Sequence, residues 1–116
     1  MDKIEHIGIA VKNLSEANET YRKLFGAAPY KTELVESEMV NTSFFMVGGN
    51  KIELLESTNA DGVIAKFIER KGEGIHHIAF AVENIREEMK RLKAEGFNLL
   101  NEEPKPGADN KLVCFF

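Results

Sequence analysis

The chain has 116 residues, enough for one ordinary domain and too few for two, and its 43% hydrophobic and 29% charged content is globular rather than disordered. Fifteen basic and nineteen acidic residues give a net charge of -4, and no Lys or Arg cluster offers a grip on nucleic acid. The apolar stretches are strand-sized, far below the ~20 residues a membrane span requires. The opening Met1 to His6 lacks the charged head and apolar body of a signal peptide, and the single Cys114 cannot staple a fold, so a cytoplasmic location is expected.

The chain opens on a strand, His6-Ile7-Gly8-Ile9-Ala10-Val11. A helix follows, because Ala17, Tyr21, Leu24 and Phe25 recur at i, i+4, i+7 and i+8 and Gly26 can cap its end. Pro29 to Leu34 is a weaker strand candidate. Val40 to Val47 and Lys51 to Leu55 are β-rich runs around Gly48-Gly49-Asn50, a hairpin signal. The acidic residues Glu33, Glu36 and Glu38 read as a solvated turn. Val63, Ile64, Phe67 and Ile68 form a short amphipathic stripe closed by Gly72. The opening motif then returns as His77-Ile78-Ala79-Phe80-Ala81-Val82, 71 residues after the first copy. Its helix carries Ile85, Met89 and Leu92, with Asn84 and Glu87 suited to an N-terminal cap and Gly96 at its end. Strands are expected at Asn98 to Leu100 and Lys111 to Phe116, flanking a Pro/Gly loop. The predicted fold class is α+β. It has two βαβββ modules, 1–58 and 75–116, joined by a helical connection, 59–74, in one domain with a cupped mixed sheet. The second module reads as one strand short.

Strand alternation puts Ile7, Ile9 and Val11 on a helix-packing face and His6, Gly8 and Ala10 on the other; Ile78, Phe80 and Val82 sort against His77, Ala79 and Ala81 in the same way. A face of one histidine and two small residues leaves volume for a ligand. His76, by the same alternation, points away and reads as structural. Glu53 lies in the apolar run Lys51-Ile52-Glu53-Leu54-Leu55, where a buried carboxylate needs a partner or a metal; an edge strand facing water is the alternative, which Lys51 on the same face supports. His6, Glu53 and His77 together suit a divalent ion such as Zn, Co, Mn, Ni or Fe. Glu53 lies 47 residues after His6, and the same step from His77 reaches position 124, beyond Phe116. Cys114 between Val113 and Phe115 reads as an inert buried thiol, Gly48-Gly49 as a turn rather than a phosphate loop, and Ser43 and Ser57 lack an evident base.

These residues resemble the methylmalonyl-CoA epimerases of the glyoxalase, or vicinal-oxygen-chelate, superfamily. The opening strand is common across the superfamily. Gly72-Glu73-Gly74-Ile75-His76-His77 and Glu102-Glu103-Pro104-Lys105-Pro106-Gly107-Ala108 are more specific to the epimerases. The resemblance implies that His6, His77 and Glu53 are metal ligands. It places a fourth ligand, a Glu, on a final strand absent from these residues, and implies Co, Mn, Zn, Ni or Mg as the ion. It implies inversion of methylmalonyl-CoA at C2 by α-proton removal, an acyl-CoA substrate and a homodimer. One of the family's two base glutamates falls at Thr42 and the other on the missing strand, so no catalytic base is assigned and impaired activity is expected of these residues alone. The Pro104 to Lys111 loop is a candidate for contacting CoA, or simply a turn. Two other readings stay open: another metalloenzyme of the superfamily, such as a glyoxalase or a ferrous ring-cleaving dioxygenase, and a ligand-binding relative without turnover.

Overall fold

Two of the three α-helices begin where an asparagine side chain accepts an orphan N–H, and all three end where a backbone N–H turns back onto a carbonyl of the last turn. In the computed structural model, which describes residues 1–116, helix α1 (Leu14–Phe25) starts where Asn13 Oδ1 accepts the Glu16 N–H. It stops at Gly26, whose φ of 76° turns its N–H back onto the Arg22 carbonyl. Helix α2 spans Val63–Lys71, and α3 (Ile85–Ala94) is capped by Asn84 Oδ1 accepting the Glu87 N–H at 3.1 Å. The strands are β1 (Lys3–Ala10), β2 (Lys31–Val35), β3 (Val40–Val47), β4 (Asn50–Ser57), β5 (Gly74–Ala81), β6 (Lys105–Pro106) and β7 (Leu112–Val113). Val47 pairs directly with Asn50, so Gly48-Gly49 is a two-residue hairpin turn with Gly48 at φ 60°.

The first five strands make one mixed sheet in the order β2-β3-β4-β1-β5, with β1 and β4 parallel and the other pairs antiparallel. This is the α+β architecture expected from the sequence. Val11, Phe45 and Leu54, with Ile9 beside them, pack under Leu14, Ala17, Tyr21 and Phe25 of α1. On the opposite face Ala10, Val35, Val40 and Leu55 pack with Ile64 of α2, and Phe67, Ile68 and Ala108 close over them. The small-residue face of β1 is therefore only partly open: α2 fills the space above Ala10.

The second half departs from expectation. Ile78 and Phe80 remain 50% and 44% exposed, although Met89 and Leu92 of α3 are buried. Asn98 to Leu100 is not a strand, and the run Lys111 to Phe116 contracts to β7, paired with β6 in a separate two-stranded sheet. The physical reason is the edge position of β5: no ladder extends beyond it, and Pro104 and Pro106 bring no N–H to build one. The terminal segment instead bonds to itself, Leu100 N–H to the Phe115 carbonyl and Phe115 N–H to Asn101 Oδ1.

Two irregularities in the β1–β5 ladder position the site. Pairing jumps from Ile4↔Phe80 to His6↔Ala79, leaving Glu5 as an extra residue in β1. It jumps again from Gly8↔His77 to Ile9↔Ile75, leaving His76 as an extra residue in β5. A bulge breaks the two-residue alternation and re-aims side chains locally.

Candidate active site

Gly8 is the centre of the site. It pairs with Glu53 across the parallel β1–β4 ladder and with His77 across the antiparallel β1–β5 ladder. A Cβ on Gly8 would lie 2.3 Å from His77 Cε1 and 2.7 Å from both ring nitrogens, so the imidazole occupies space that only glycine leaves free. His6, one bulge away, completes the group.

The His6 ring joins the expected residues. Its Nε2 lies 2.9 Å from His77 Nε2, and its Nδ1 lies 3.0 Å from Glu53 Oε2 and 3.0 Å from Glu5 Oε1. The contact with Glu5 has hydrogen-bond alignment, whereas that with Glu53 is close without it. His77 and Glu53 thus meet opposite edges of one imidazole. Ligating atoms of Glu5, His6 and Glu53 all lie within 4.8 Å of one another, so Glu5 joins the cluster that the sequence attributed to three residues.

Burial sets the electrostatics. It pushes the Glu53 carboxyl, only 3% exposed, up to about 7, with the Lys51 charge opposing. Burial, with the neighbouring His6 and His76, pulls His77 down to about 4. His6 also sits below its ordinary value through burial, against the pull of Glu5. For Glu5 burial acts upward, but hydrogen bonds and charge from Lys51 and His6 outweigh it and hold the carboxyl low.

Three sequence readings need correction. His76 does not point away: the bulge brings it to the same side as His77, with the two Nδ1 atoms 2.9 Å apart and the His76 ring edge-on to Phe67. Lys51 does not mark a water-facing edge. It is 6% exposed, with Nζ 2.9 Å from Glu5 Oε1 and 3.0 Å from Asp109 Oδ2, contacts that raise its pKa above the lysine range despite burial. Asp109 also pairs with Lys31 at 2.8 Å and donates its backbone N–H to Glu33 Oε1, so ion pairs clamp the Pro104 to Lys111 loop onto the first half of the sheet. The acidic turn is not uniformly solvated either: Glu36 is exposed, but Glu33 is tied to this loop and Glu38 faces the interior beside Lys105. Sequence reasoning missed Glu5 and His76 because alternation is a single-strand rule. Their adjacency to His6 and His77 was the available signal.

These groups line a cavity of about 1060 Å³ walled by apolar side chains that include Val40, Leu55 and Ile64. Thr42 lines it too, fully buried, with its Oγ1 lacking a hydrogen-bond partner. The donor set fits a divalent cation in chemistry, since imidazole nitrogens and carboxylates suit borderline and hard ions. The spacing fits in part: His6 Nε2 and His77 Nε2, 2.9 Å apart, match the ~3 Å between neighbouring ligands held ~2.1 Å from an octahedral ion, whereas Glu53 and Glu5 face Nδ1 on the other edge of the His6 ring, so a side-chain rotation is needed for one ion to take His6, Glu53 and His77 together. The remaining sequence candidates carry no such constellation. Ser57 Oγ donates to the Asn59 carbonyl in a turn, and Cys114 is half-buried with only weak contacts to carbonyls. No helix is long and apolar enough to cross a membrane.

With this sheet and this cluster, the chain belongs to the Glyoxalase/Bleomycin resistance protein/Dioxygenase superfamily, whose profile matches residues 5–115. It is 37% identical over 115 residues to the uncharacterized protein YqjC of Bacillus subtilis, covering 99% of this chain and 82% of that one. It is 32% identical over 116 residues to the mitochondrial methylmalonyl-CoA epimerase of Bos taurus, covering 99% of this chain but 66% of the bovine one. Among solved structures, a Streptomyces coelicolor methylmalonyl-CoA epimerase variant in complex with 2-nitronate-propionyl-CoA superposes with a TM-score of 0.94. It shares 30% identity and covers 99% of this chain and 86% of that chain. Within the superfamily, the chain is an enzyme of the epimerase type.

Proposed function

We propose that the chain epimerises methylmalonyl-CoA at C2 with a divalent cation held by His6, Glu53 and His77. The observation that supports this reading is the approach of His6 Nε2 to His77 Nε2 at 2.9 Å, with the buried Glu53 carboxyl beside the same ring, in the wall of a cavity large enough for an acyl group. A bound divalent cation supplies Lewis-acid polarisation of a carbonyl oxygen, and so makes the adjacent C–H more acidic. The chain does the rest. Gly8 leaves room for the His77 ring, and the burial of Glu53 among apolar side chains lowers the dielectric around its charge. Inversion requires proton donors and acceptors on both faces of the planar intermediate. Thr42, where the resemblance puts one base, presents a hydroxyl that can donate to a substrate oxygen but cannot take up a proton at neutral pH. The same reading takes residues 1–116 as one domain acting as a homodimer in the cytoplasm.

The test is exchange of the C2 hydrogen of methylmalonyl-CoA for deuterium in D₂O with added Co or Mn ions. Exchange that a chelator or His77→Ala abolishes is expected. No exchange with saturating cation, from a chain that also carries the final strand the resemblance implies, overturns the proposal. Binding of both cation and methylmalonyl-CoA without exchange selects the reading that Thr42 favours, a ligand-binding protein without turnover.

A further inference from the structure

Among the acidic side chains around the cavity, Glu38 is the one that no other role absorbs. Glu5 and Glu53 stand against the His6 ring, Glu88 is bonded along α3 to Arg91 Nε at 2.9 Å, and Glu83 is exposed beyond the end of β5. Glu38 lines the cavity with its side chain only 21% exposed and its Oε1 buried. Lys105 Nζ approaches that oxygen at 2.7 Å as an ion pair, without the alignment of a hydrogen bond, so no donor satisfies it. A buried carboxylate oxygen without a donor is costly, and such an atom in a cavity wall asks for a role.

The backbone holds Glu38 there rigidly. Glu36–Glu38 is a single turn of 3₁₀-helix between β2 and β3, and the buried Val35 and Val40 pair on either side of it. Met39 closes the turn at a φ of 55°, and its N–H returns to the Glu36 carbonyl at 3.1 Å. Thr58 N–H donates to the Met39 carbonyl at 2.9 Å and ties the turn to the end of β4. A non-glycine residue in the left-handed region is strained, and such strain gathers where a side chain must be aimed. The turn carries Glu38 to the interior and leaves Glu36 in solvent. His76, beside His77, lines the same cavity and is within reach of the Glu38 charge.

Removal of a proton from C2 needs an acceptor on the protein, and the Thr42 hydroxyl cannot serve. We propose that Glu38 is the catalytic residue that takes the C2 proton from one face of the acyl group. The inference rests on reading methylmalonyl-CoA as the substrate. In this step the C2–H bond breaks and its electron pair moves into the bond between C2 and the thioester carbonyl carbon. The carbonyl π pair moves onto its oxygen, and the proton bonds to a Glu38 carboxylate oxygen. The same step in reverse returns a proton to C2 on the same face, after exchange with solvent water. Lys105, carried by β6, fixes the carboxylate on the cavity wall. A rigid turn and a fixed ion pair are the kind of support a proton acceptor needs to meet its substrate in one geometry.

The experiment follows initial deuterium exchange from each pure C2 epimer of methylmalonyl-CoA, with the same chain as in the exchange test above, final strand included. Glu38→Gln keeps the shape and removes the base, and should slow exchange from one epimer at least ~100-fold. Its affinity for methylmalonyl-CoA, measured by calorimetric titration, should stay that of the wild type, which separates a lost base from a displaced loop. Glu38→Asp keeps a carboxylate on a shorter stem and should exchange that epimer faster than Glu38→Gln. Exchange of both epimers at the wild-type rate in Glu38→Gln overturns the proposal, as does equal slowing in the Asp and Gln variants. Glu36→Gln, on the solvent side of the same turn, should exchange as the wild type does; slowing equal to that of Glu38→Gln would reduce the effect to the charge of the turn and overturn the assignment. A wild type that exchanges neither epimer removes the substrate reading and the base with it, whereas a wild type that exchanges alongside an equally fast Glu38→Gln removes the base alone.

Discussion

Gly8→Ala is the most direct test of the site geometry, because it adds one methyl group where the structure leaves no room. The new Cβ would lie 2.3 Å from His77 Cε1, and ordinary contact begins near 3.4 Å, so the ring must retreat by about 1 Å. It cannot do so freely. His77 has contacts of 2.9 Å on both sides, to His6 and to His76, and a 1 Å retreat stretches at least one beyond hydrogen-bond range. Overpacking of this kind costs about 1–3 kcal/mol, and each lost hydrogen bond about 1 kcal/mol. Unfolding in urea should therefore show a loss of roughly 2–4 kcal/mol at unchanged m-value. Cobalt or manganese affinity, followed by calorimetric titration, should fall at least ~10-fold. Gly49→Ala is the control, since nothing lies within 4 Å of a Cβ there. Wild-type cation affinity in Gly8→Ala, with the fold intact by circular dichroism, would refute the packing of His77 on bare backbone and the convergence built on it.

Acid stability separates Glu53 from His77. Glu53, raised to about 7, favours the folded state when protonated, so its contribution is present below about 4.5 and is lost as pH rises through 7. His77, lowered to about 4, acts in the opposite sense and costs stability as pH falls from about 6.5 to 4. Each is worth about 3 kcal/mol at most across its window, so in the chelated wild type they nearly cancel. Glu53→Gln should unmask the His77 slope and lose stability on acidification from pH 6.5 to 4, measured by urea unfolding; parallel wild-type and variant curves would remove Glu53 from this account. Asp109→Asn tolerates the φ of 61° but loses charge pairing with Lys31 and Lys51. Because Asp109 is one-third exposed, stability should fall by only about 1 kcal/mol, while trypsin cleavage after Lys111 should speed up several-fold. An unchanged cleavage rate would mean that Asp109 does not hold the loop.

Short-range chemistry settled much of the chain before any tertiary contact was known. Asn84 and Gly26 mark helix ends because capping depends on a few neighbouring residues, and Gly48-Gly49 makes a hairpin because the turn needs a positive φ. The repeat of His6 and His77, with Glu53 in an apolar strand, identified three members of the cluster, since facing follows from a two-residue period wherever a strand is regular. What the sequence could not decide is where that period breaks. The bulges at Glu5 and His76 arise from the fit of β1 against β5, a property of two segments 71 residues apart. The direction of His76, the entry of Glu5 into the site and the burial of Lys51 under Asp109 all follow from such pairings. So does the irregular course of Asn98 to Phe116: strand propensity yields a strand only where a neighbouring edge accepts its hydrogen bonds, and β5 pairs with none of these residues.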